Sequence, residues 1–420
     1  MRFQTPRGTK DILPEEQIYW HLIESTATKM AKSYGYSKID TPIFEDTDLF
    51  SRSVGDSTDI LEKETYTFVD RGGDSLTLRP EGTASVARAY VQNGMHNQPQ
   101  PIKLYYIFQN FRYERPQAGR YRAFNQFGVE AFGESDHYID SEIIELAWRF
   151  LIALGINDLV LSINSIGCID CRPEYTSNLK SYYSNHRNSI CNDCDRRVDK
   201  NPLRLLDCKN DPCQSIISDA PKSVKYLCKN CETHFIAIKT NLDLLHIPFY
   251  IDNCLVRGLD YYSKTVFEIA PPTSGRTSVI AGGGRYDGLI EQIGGSYTPG
   301  IGFAMGIERI IDNLKRLNIP IEKKDPKCIL LAYMGEISNT HAIKIASLIR
   351  QSGGSAVLGP SRGLKSQMKY ASSIDASYVV IIGDQEIEKG VYKIKNLSTS
   401  EQIEISIDKA VDYLLNIWDL

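Results

Sequence analysis

Residues 104–132 read LYYIFQNFRYERPQAGRYRAFNQFGVEAF. Two apolar, aromatic runs flank a polar middle holding Pro116 and Gly119, the pattern of strand, long turn, strand. The turn and its shoulders carry Arg112, Arg115, Arg120 and Arg122 and no lysine. A guanidinium is planar, permanently charged and able to hold a phosphate through two parallel hydrogen bonds. Along the second strand, period-two alternation puts Phe124, Gln126, Gly128 and Glu130 on one face. Phe127, Val129 and Ala131 go to the other, which is core. The first face presents an amide and a carboxylate across a glycine that leaves room. An anionic ligand held by arginines beside an amine-bearing one held by Gln126 and Glu130 fits this surface. The plain alternative is a hairpin with a solvated, arginine-rich loop.

Outward from the hairpin, 420 residues allow two or three domains, and 42% hydrophobic with 24% charged residues is ordinary for a globular chain. No apolar run approaches the roughly 20 residues needed to span a bilayer. The opening MRFQTPRGTKDILPEE lacks the apolar stretch of a secretion signal. A cytoplasmic protein without membrane contact is expected. Net charge is −4, so any nucleic-acid contact has to come from local patches.

On the N-terminal side, residues 15–34 have helical spacing with Ile18, Leu22 and Ile23 on one side, and Tyr36–Pro42 reads as a strand. Tyr66–Val69 and Leu76–Arg79 form a strand pair around a Gly72-Gly73 turn. Arg79-Pro-Glu81-Gly-Thr83 then leads into a helix from about Ala84 to Gln92. A carboxylate and a hydroxyl at such a junction can bind an ammonium group, unless Thr83 is simply the helix cap. Residues 138–155 form an amphipathic core helix, and 159–165 another strand.

The stretch 168–231 changes character. It holds Cys168-x-x-Cys171, Cys191-x-x-Cys194, Cys208, Cys213 and Cys228-x-x-Cys231, eight of the ten cysteines. Tetrahedral zinc takes thiolates at this spacing, and a reducing compartment disfavours disulfides. One or two structural zinc ions are expected, with free thiols as the alternative. Runs at 175–183, 224–227 and 235–245 read as helical.

Further on come Leu-Val-Arg257-Gly-Leu-Asp-Tyr261-Tyr262, Ala-Gly-Gly-Gly-Arg285-Tyr286-Asp-Gly and Gly300-Ile-Gly302-Phe-Ala-Met-Gly306-Ile-Glu308-Arg309. Residues 313–327 look like a charged linker. Beyond it, elements alternate as strand, helix, strand, the pattern of an α/β unit. There Arg362, Lys365 and Lys369 recur at spacings of three and four, a local basic stripe in a segment with balanced charge.

These strings resemble a known family. Arg112-Tyr-Glu114-Arg-Pro-Gln117-x-Gly119-Arg120-Tyr-Arg122 is similar to motif 2 of class II aminoacyl-tRNA synthetases in the histidyl form. The helix and strand of residues 15–42 resemble motif 1, which forms the family's dimer interface. Residues 300–309 resemble motif 3. The segments around Arg257 and Arg285 resemble the two that set histidyl enzymes apart. The resemblance implies an α+β catalytic domain with a mostly antiparallel sheet over 1–325, a helical, Cys-rich insertion at 168–245, and an α/β anticodon-binding domain at 327–420. It implies L-histidine, ATP with Mg2+ and tRNA(His) as substrates of a homodimeric ligase acting through a histidyl-adenylate. It does not imply zinc.

Site roles follow by the same resemblance. Arg112 and Arg257 would be catalytic, at the substrate carboxylate and α-phosphate. Glu114, Arg120 and Arg309 would hold ATP, with Arg309 over the adenine. Glu81, Thr83 and Gln126 would take the α-amino group. Glu130 and Tyr262, with Tyr261 and Tyr286, would read the imidazole. Gln117, Arg122, Arg362, Lys365 and Lys369 would meet tRNA. A non-catalytic relative, the histidine-sensing regulatory subunit of ATP phosphoribosyltransferase, is the competing expectation; such relatives generally lack the last domain. A metal-dependent RNA-binding module built on 168–231 would explain too little of the chain.

Overall fold

The computed structural model describes residues 3–54, 64–116, 119–272, 279–321 and 328–416. The chain divides into two compact units, Met1–Ile321 and Glu322–Leu420. The break expected at 325–327 lies outside the described residues.

In the first unit the strands are β1 (Ser37–Lys38), β2 (Phe44–Asp46), β3 (Tyr66–Val69), β4 (Ser75–Leu78), β5 (Ile102–Phe111), β6 (Ala123–Phe132), β7 (Val160–Ser165), β8 (Phe249–Ile251), β9 (Ser263–Ala270), β10 (Ala281–Arg285) and β11 (Gly300–Gly306). Eight of them build one sheet in the order β1-β5-β6-β11-β10-β9-β7-β8. Only the outer pairs, β1 with β5 and β7 with β8, are parallel. The other pairings are antiparallel. β5 and β6 run in unbroken register from Ile102 opposite Phe132 to Phe111 opposite Ala123. Strands β2, β4 and β3 form a small separate sheet.

The alternation in β6 sorts the faces. Phe127, Val129 and Ala131 are buried against helices Gln17–Ser33 and His137–Ala153, with Ile143, Leu146, Ala147 and Phe150 of the latter. The opposite face turns to the functional cavity. Helix Gln17–Ser33 buries Trp20, Ile23, Ala27 and Ala31; of the expected side, Ile23 is fully buried and Leu22 packs partly buried against the same core. The strand expected over 36–42 is only Ser37–Lys38, since Pro42 has no N–H for a ladder.

Residues 172–244 are helical: Arg172–Ser184, Asn192–Lys200, Asp211–Ser218 and Lys229–Leu244. The expected helical run at 224–227 is instead the short 3-10 turn Ser223–Lys225. Helix Ile307–Arg316 runs into the segment expected to be a charged linker, because Leu314 is fully buried in the core.

The second unit has β12 (Cys328–Met334), β13 (Ser355–Leu358), β14 (Tyr378–Gly383), β15 (Val391–Asn396) and β16 (Gln402–Ser406) in the order β13-β12-β14-β15-β16. β12 is parallel to both neighbours and the rest are antiparallel. Ile329, Leu330, Leu331 and Ala332 are all fully buried, as expected for a central parallel strand covered on both faces.

Candidate active site

One cavity, about 980 Å³ with its open mouth counted, lies over β6, β11 and β10. Of the residues singled out in the sequence, Glu81, Thr83, Arg112, Glu114, Arg120, Gln126, Arg257, Tyr261, Tyr262 and Arg309 line it. They come from four separated parts of the chain, which the sheet order brings to one surface.

Each side chain is held. Arg112 donates from Nε to the Pro80 carbonyl at 2.8 Å and lies 5.3 Å from the centre of the Phe124 ring. Glu114 sits between Arg120, at 3.4 Å, and Arg112, at 3.9 Å. Arg309 donates to the Gly119 carbonyl at 3.1 Å and to the Val279 carbonyl. Arg257 is ion-paired with Glu268. A Cβ at Gly282 would overlap the Arg257 guanidinium, so the glycine is what lets that charge lie flat on the sheet. Gln126 accepts from the Asn110 amide at 2.7 Å.

Thr83 is not the helix cap. The Glu81 carboxylate accepts from the backbone N–H groups of Thr83 at 2.7 Å and Ala84 at 2.8 Å, at the start of helix Thr83–Gln92. The Thr83 hydroxyl is thereby freed to donate to Glu130 at 2.8 Å. Glu130 and Tyr286 are fully buried behind the cavity wall rather than in its lining. Tyr106, at 3.0 Å, and Tyr286 also donate to Glu130. Burial pushes the Glu130 carboxyl up to about 8 against the pull of those hydroxyls. Tyr261, Tyr262 and Tyr286 cluster beside it, with ring centres 4.7 to 6.3 Å apart.

The room above Gly128 belongs to the protein. Tyr106 lies directly opposite on β5, and a Cβ at Gly128 would overlap its ring. Tyr106, Glu268 and Glu308 are the supporting residues that the sequence reading missed. Glu308 accepts from the Asn125 backbone N–H and side-chain amide, both at 2.9 Å, and pins the start of β6 to helix Ile307–Arg316. Only the cross-strand register could have revealed Tyr106. Arg285, inside the glycine-rich string, points away from the cavity. It is fully buried against Asp140, Asp287 at 3.2 Å and the Glu134 carbonyl at 2.9 Å.

Arg122 does not reach the cavity. Its guanidinium covers the Tyr113 ring at 3.9 Å and donates to the Glu114 carbonyl. Gln117 lies outside the described residues. In the second unit, Lys365 and Lys369 sit one turn apart and exposed on helix Leu364–Ser373, while exposed Arg362 precedes that helix.

The eight cysteines gather into two groups: Cys168, Cys171, Cys228 and Cys231, and Cys191, Cys194, Cys208 and Cys213. Within each, the sulfurs lie within 4.8 Å of one another. The shortest separations are 3.8 Å for Cys168–Cys171, Cys171–Cys231 and Cys191–Cys208. A tetrahedral ion with Zn–S of about 2.3 Å sets its sulfurs about 3.8 Å apart. Backbone N–H groups of Cys168 and Cys191 point at Cys171 Sγ and Cys213 Sγ, both at 3.3 Å, and such hydrogen bonds orient a metal-bound thiolate.

A model of the histidyl-tRNA synthetase family matches residues 8–171 and 214–310, and one of an anticodon binding domain matches 319–417. The histidine–tRNA ligase of Dehalococcoides mccartyi is 52% identical over 97% of this chain and 98% of its own length. That of Caldicellulosiruptor saccharolyticus is 48% identical, with 99% of each chain covered. The crystal structure of apo Staphylococcus aureus histidyl-tRNA synthetase superposes with a TM-score of 0.83 at 38% identity, covering 98% of this chain and 99% of that one. An ATP phosphoribosyltransferase regulatory subunit/histidyl-tRNA synthetase from Bacillus halodurans shares the fold at 22% identity and a TM-score of 0.66, over 91% of this chain and 99% of that one. With the family model covering more than half its length and relatives this similar end to end, the chain belongs to the histidyl-tRNA synthetase family.

Proposed function

We propose that the chain joins L-histidine to tRNA(His) at the expense of ATP. A histidine carboxylate oxygen attacks the α-phosphorus, the bond to pyrophosphate breaks, and histidyl-adenylate forms. The 3′-hydroxyl of the terminal tRNA adenosine then attacks the carbonyl carbon and AMP leaves. One observation carries this reading: Arg112, Arg120, Arg257 and Arg309 share a cavity with Glu81, Thr83, Gln126 and Tyr262.

Arg112 and Arg257 place fixed positive charge where the α-phosphate gains negative charge, the kind of preorganisation that usually dominates such chemistry. Glu114, Arg120 and Arg309 hold the nucleotide, and Mg2+ accompanies its phosphates as counter-ion. Glu81, Thr83 and Gln126 take the α-ammonium. Glu130, through the hydroxyls of Tyr286 and Thr83, and Tyr262 with Tyr261 set the polarity of the imidazole pocket. An imidazole donates at one nitrogen and accepts at the other, which suits a carboxyl paired with phenols.

Gln117, Arg122, Arg362, Lys365 and Lys369 contact tRNA in this reading. The cysteines of the insertion hold structural zinc, supported by sulfur spacing that fits tetrahedral ligation. The protein works as a cytoplasmic homodimer. No helix of the described residues is long and apolar enough to cross a membrane. The small sheet also exposes Phe44, Phe68 and Val69, apolar surface that a second copy could cover. Exchange of labelled pyrophosphate into ATP tests the first step. Exchange that depends on histidine is expected. Histidine binding without exchange would instead favour the regulatory reading.

A further inference from the structure

The cysteine clusters take no part in the chemistry above, yet both are tied to the segment that carries Arg257, Tyr261 and Tyr262. Cys171 is followed by Arg172, the first residue of helix Arg172–Ser184. The half-buried Arg172 guanidinium donates to the carbonyl oxygens of Gly167, at 3.2 Å, and Tyr262. Its Nε has no partner among the described residues. The sulfurs of Cys171, Cys168 and Cys231 and the Asp260 carboxylate lie near enough for negative charge on them to bear on the guanidinium. Four thiolates around one divalent zinc leave a net negative charge, which offsets a guanidinium otherwise held by neutral carbonyls.

The second cluster reaches the same segment from further along. Between Cys194 and Cys208 the chain passes through Asn201 and Arg204. Asn201 donates to Asp260 at 2.8 Å, and Arg204 donates to the Arg257 carbonyl at 3.2 Å. Residues 257–262 are neither helix nor strand, so their placement depends on what packs against them. Residues 172–213, with the second cluster and all three bracing side chains, fall outside the family model's match.

We propose that the two clusters are separate zinc sites that brace residues 257–262 through Arg172, Asn201 and Arg204, so that zinc occupancy sets how firmly histidine is held. The inference rests on the reading of Tyr261 and Tyr262 as histidine-binding. Arg172, Asn201 and Arg204 are positioning residues that touch no substrate.

The test uses the full, zinc-loaded chain, with zinc per chain by elemental analysis, the unfolding midpoint, and KM for histidine and ATP in pyrophosphate exchange. Wild type is expected to carry two zinc ions. Arg172→Ala should keep both ions and the midpoint while raising the histidine KM roughly tenfold or more, with the ATP KM little changed. Arg172→Lys should recover part of the loss. Cys171→Ser should lose one ion and show the same histidine defect. A zinc-free wild type after metal-replete expression would overturn the zinc reading and the brace together. Two bound ions with an unchanged histidine KM in Arg172→Ala would overturn the brace alone. A wild type with no histidine-dependent exchange would remove the site reading beneath both.

Discussion

A carboxyl sealed under three hydroxyls gives up its proton late. Burial raises Glu130 to about 8, whereas an unfolded glutamate titrates near 4.3. Over that window the folded chain keeps a proton that the unfolded chain has lost. Stability from this group is therefore fully present below about pH 4.3 and falls as pH rises towards 8. Glu130→Gln removes the titration while keeping the shape. Denaturant unfolding at pH 5 and pH 8 should show wild type losing stability relative to Glu130→Gln as pH rises; a constant difference would contradict the assignment. At the phosphate end, Arg257→Ala should lower histidine-dependent exchange by about 10²- to 10³-fold, as loss of one preorganised donor does. An unchanged rate in a folded variant would remove Arg257 from catalysis. The residues that line the cavity were legible because arginine, glutamate and glycine stood in strings that resemble a family. Tyr106 was not legible, because its place over Gly128 exists only once β5 and β6 are in register.

At the scale of elements, the glycine-rich strand β10 ends on a buried charge cluster at Arg285. Burial alone would raise Asp140, but the charge and hydrogen bonds of Arg285, with His234 at 3.1 Å, outweigh it and hold Asp140 at about 2. Arg285→Met leaves that carboxylate without its main partner. It should destabilise the chain by about 3–5 kcal/mol, the usual result of breaking a buried pair from one side. An unfolding midpoint equal to wild type would refute this. Period-two alternation read the β6 faces correctly because one face is core and the other cavity. Helical spacing found helix Gln17–Ser33 and its buried Ile23, but not Trp20, Ala27 and Ala31, which share that face. The C-x-x-C pairs announced clustered cysteines, but which pair meets which is set by the helices between them. That pairing is invisible in spacing.

For the whole molecule, the alternation of elements after residue 327 and the hairpin near residue 104 each pointed to a distinct unit, and each unit has its own hydrophobic core. A chain ending before Glu322 should keep histidine-dependent exchange and lose most tRNA charging, read by running both assays on the same preparation. Equal charging by the shortened chain would remove the second unit from tRNA recognition. The central claim joins both units, and aminoacylation of purified tRNA with each of the twenty amino acids in turn tests it most directly. Charging of tRNA(His) with histidine alone is predicted; no charging, or charging with another amino acid, would contradict it.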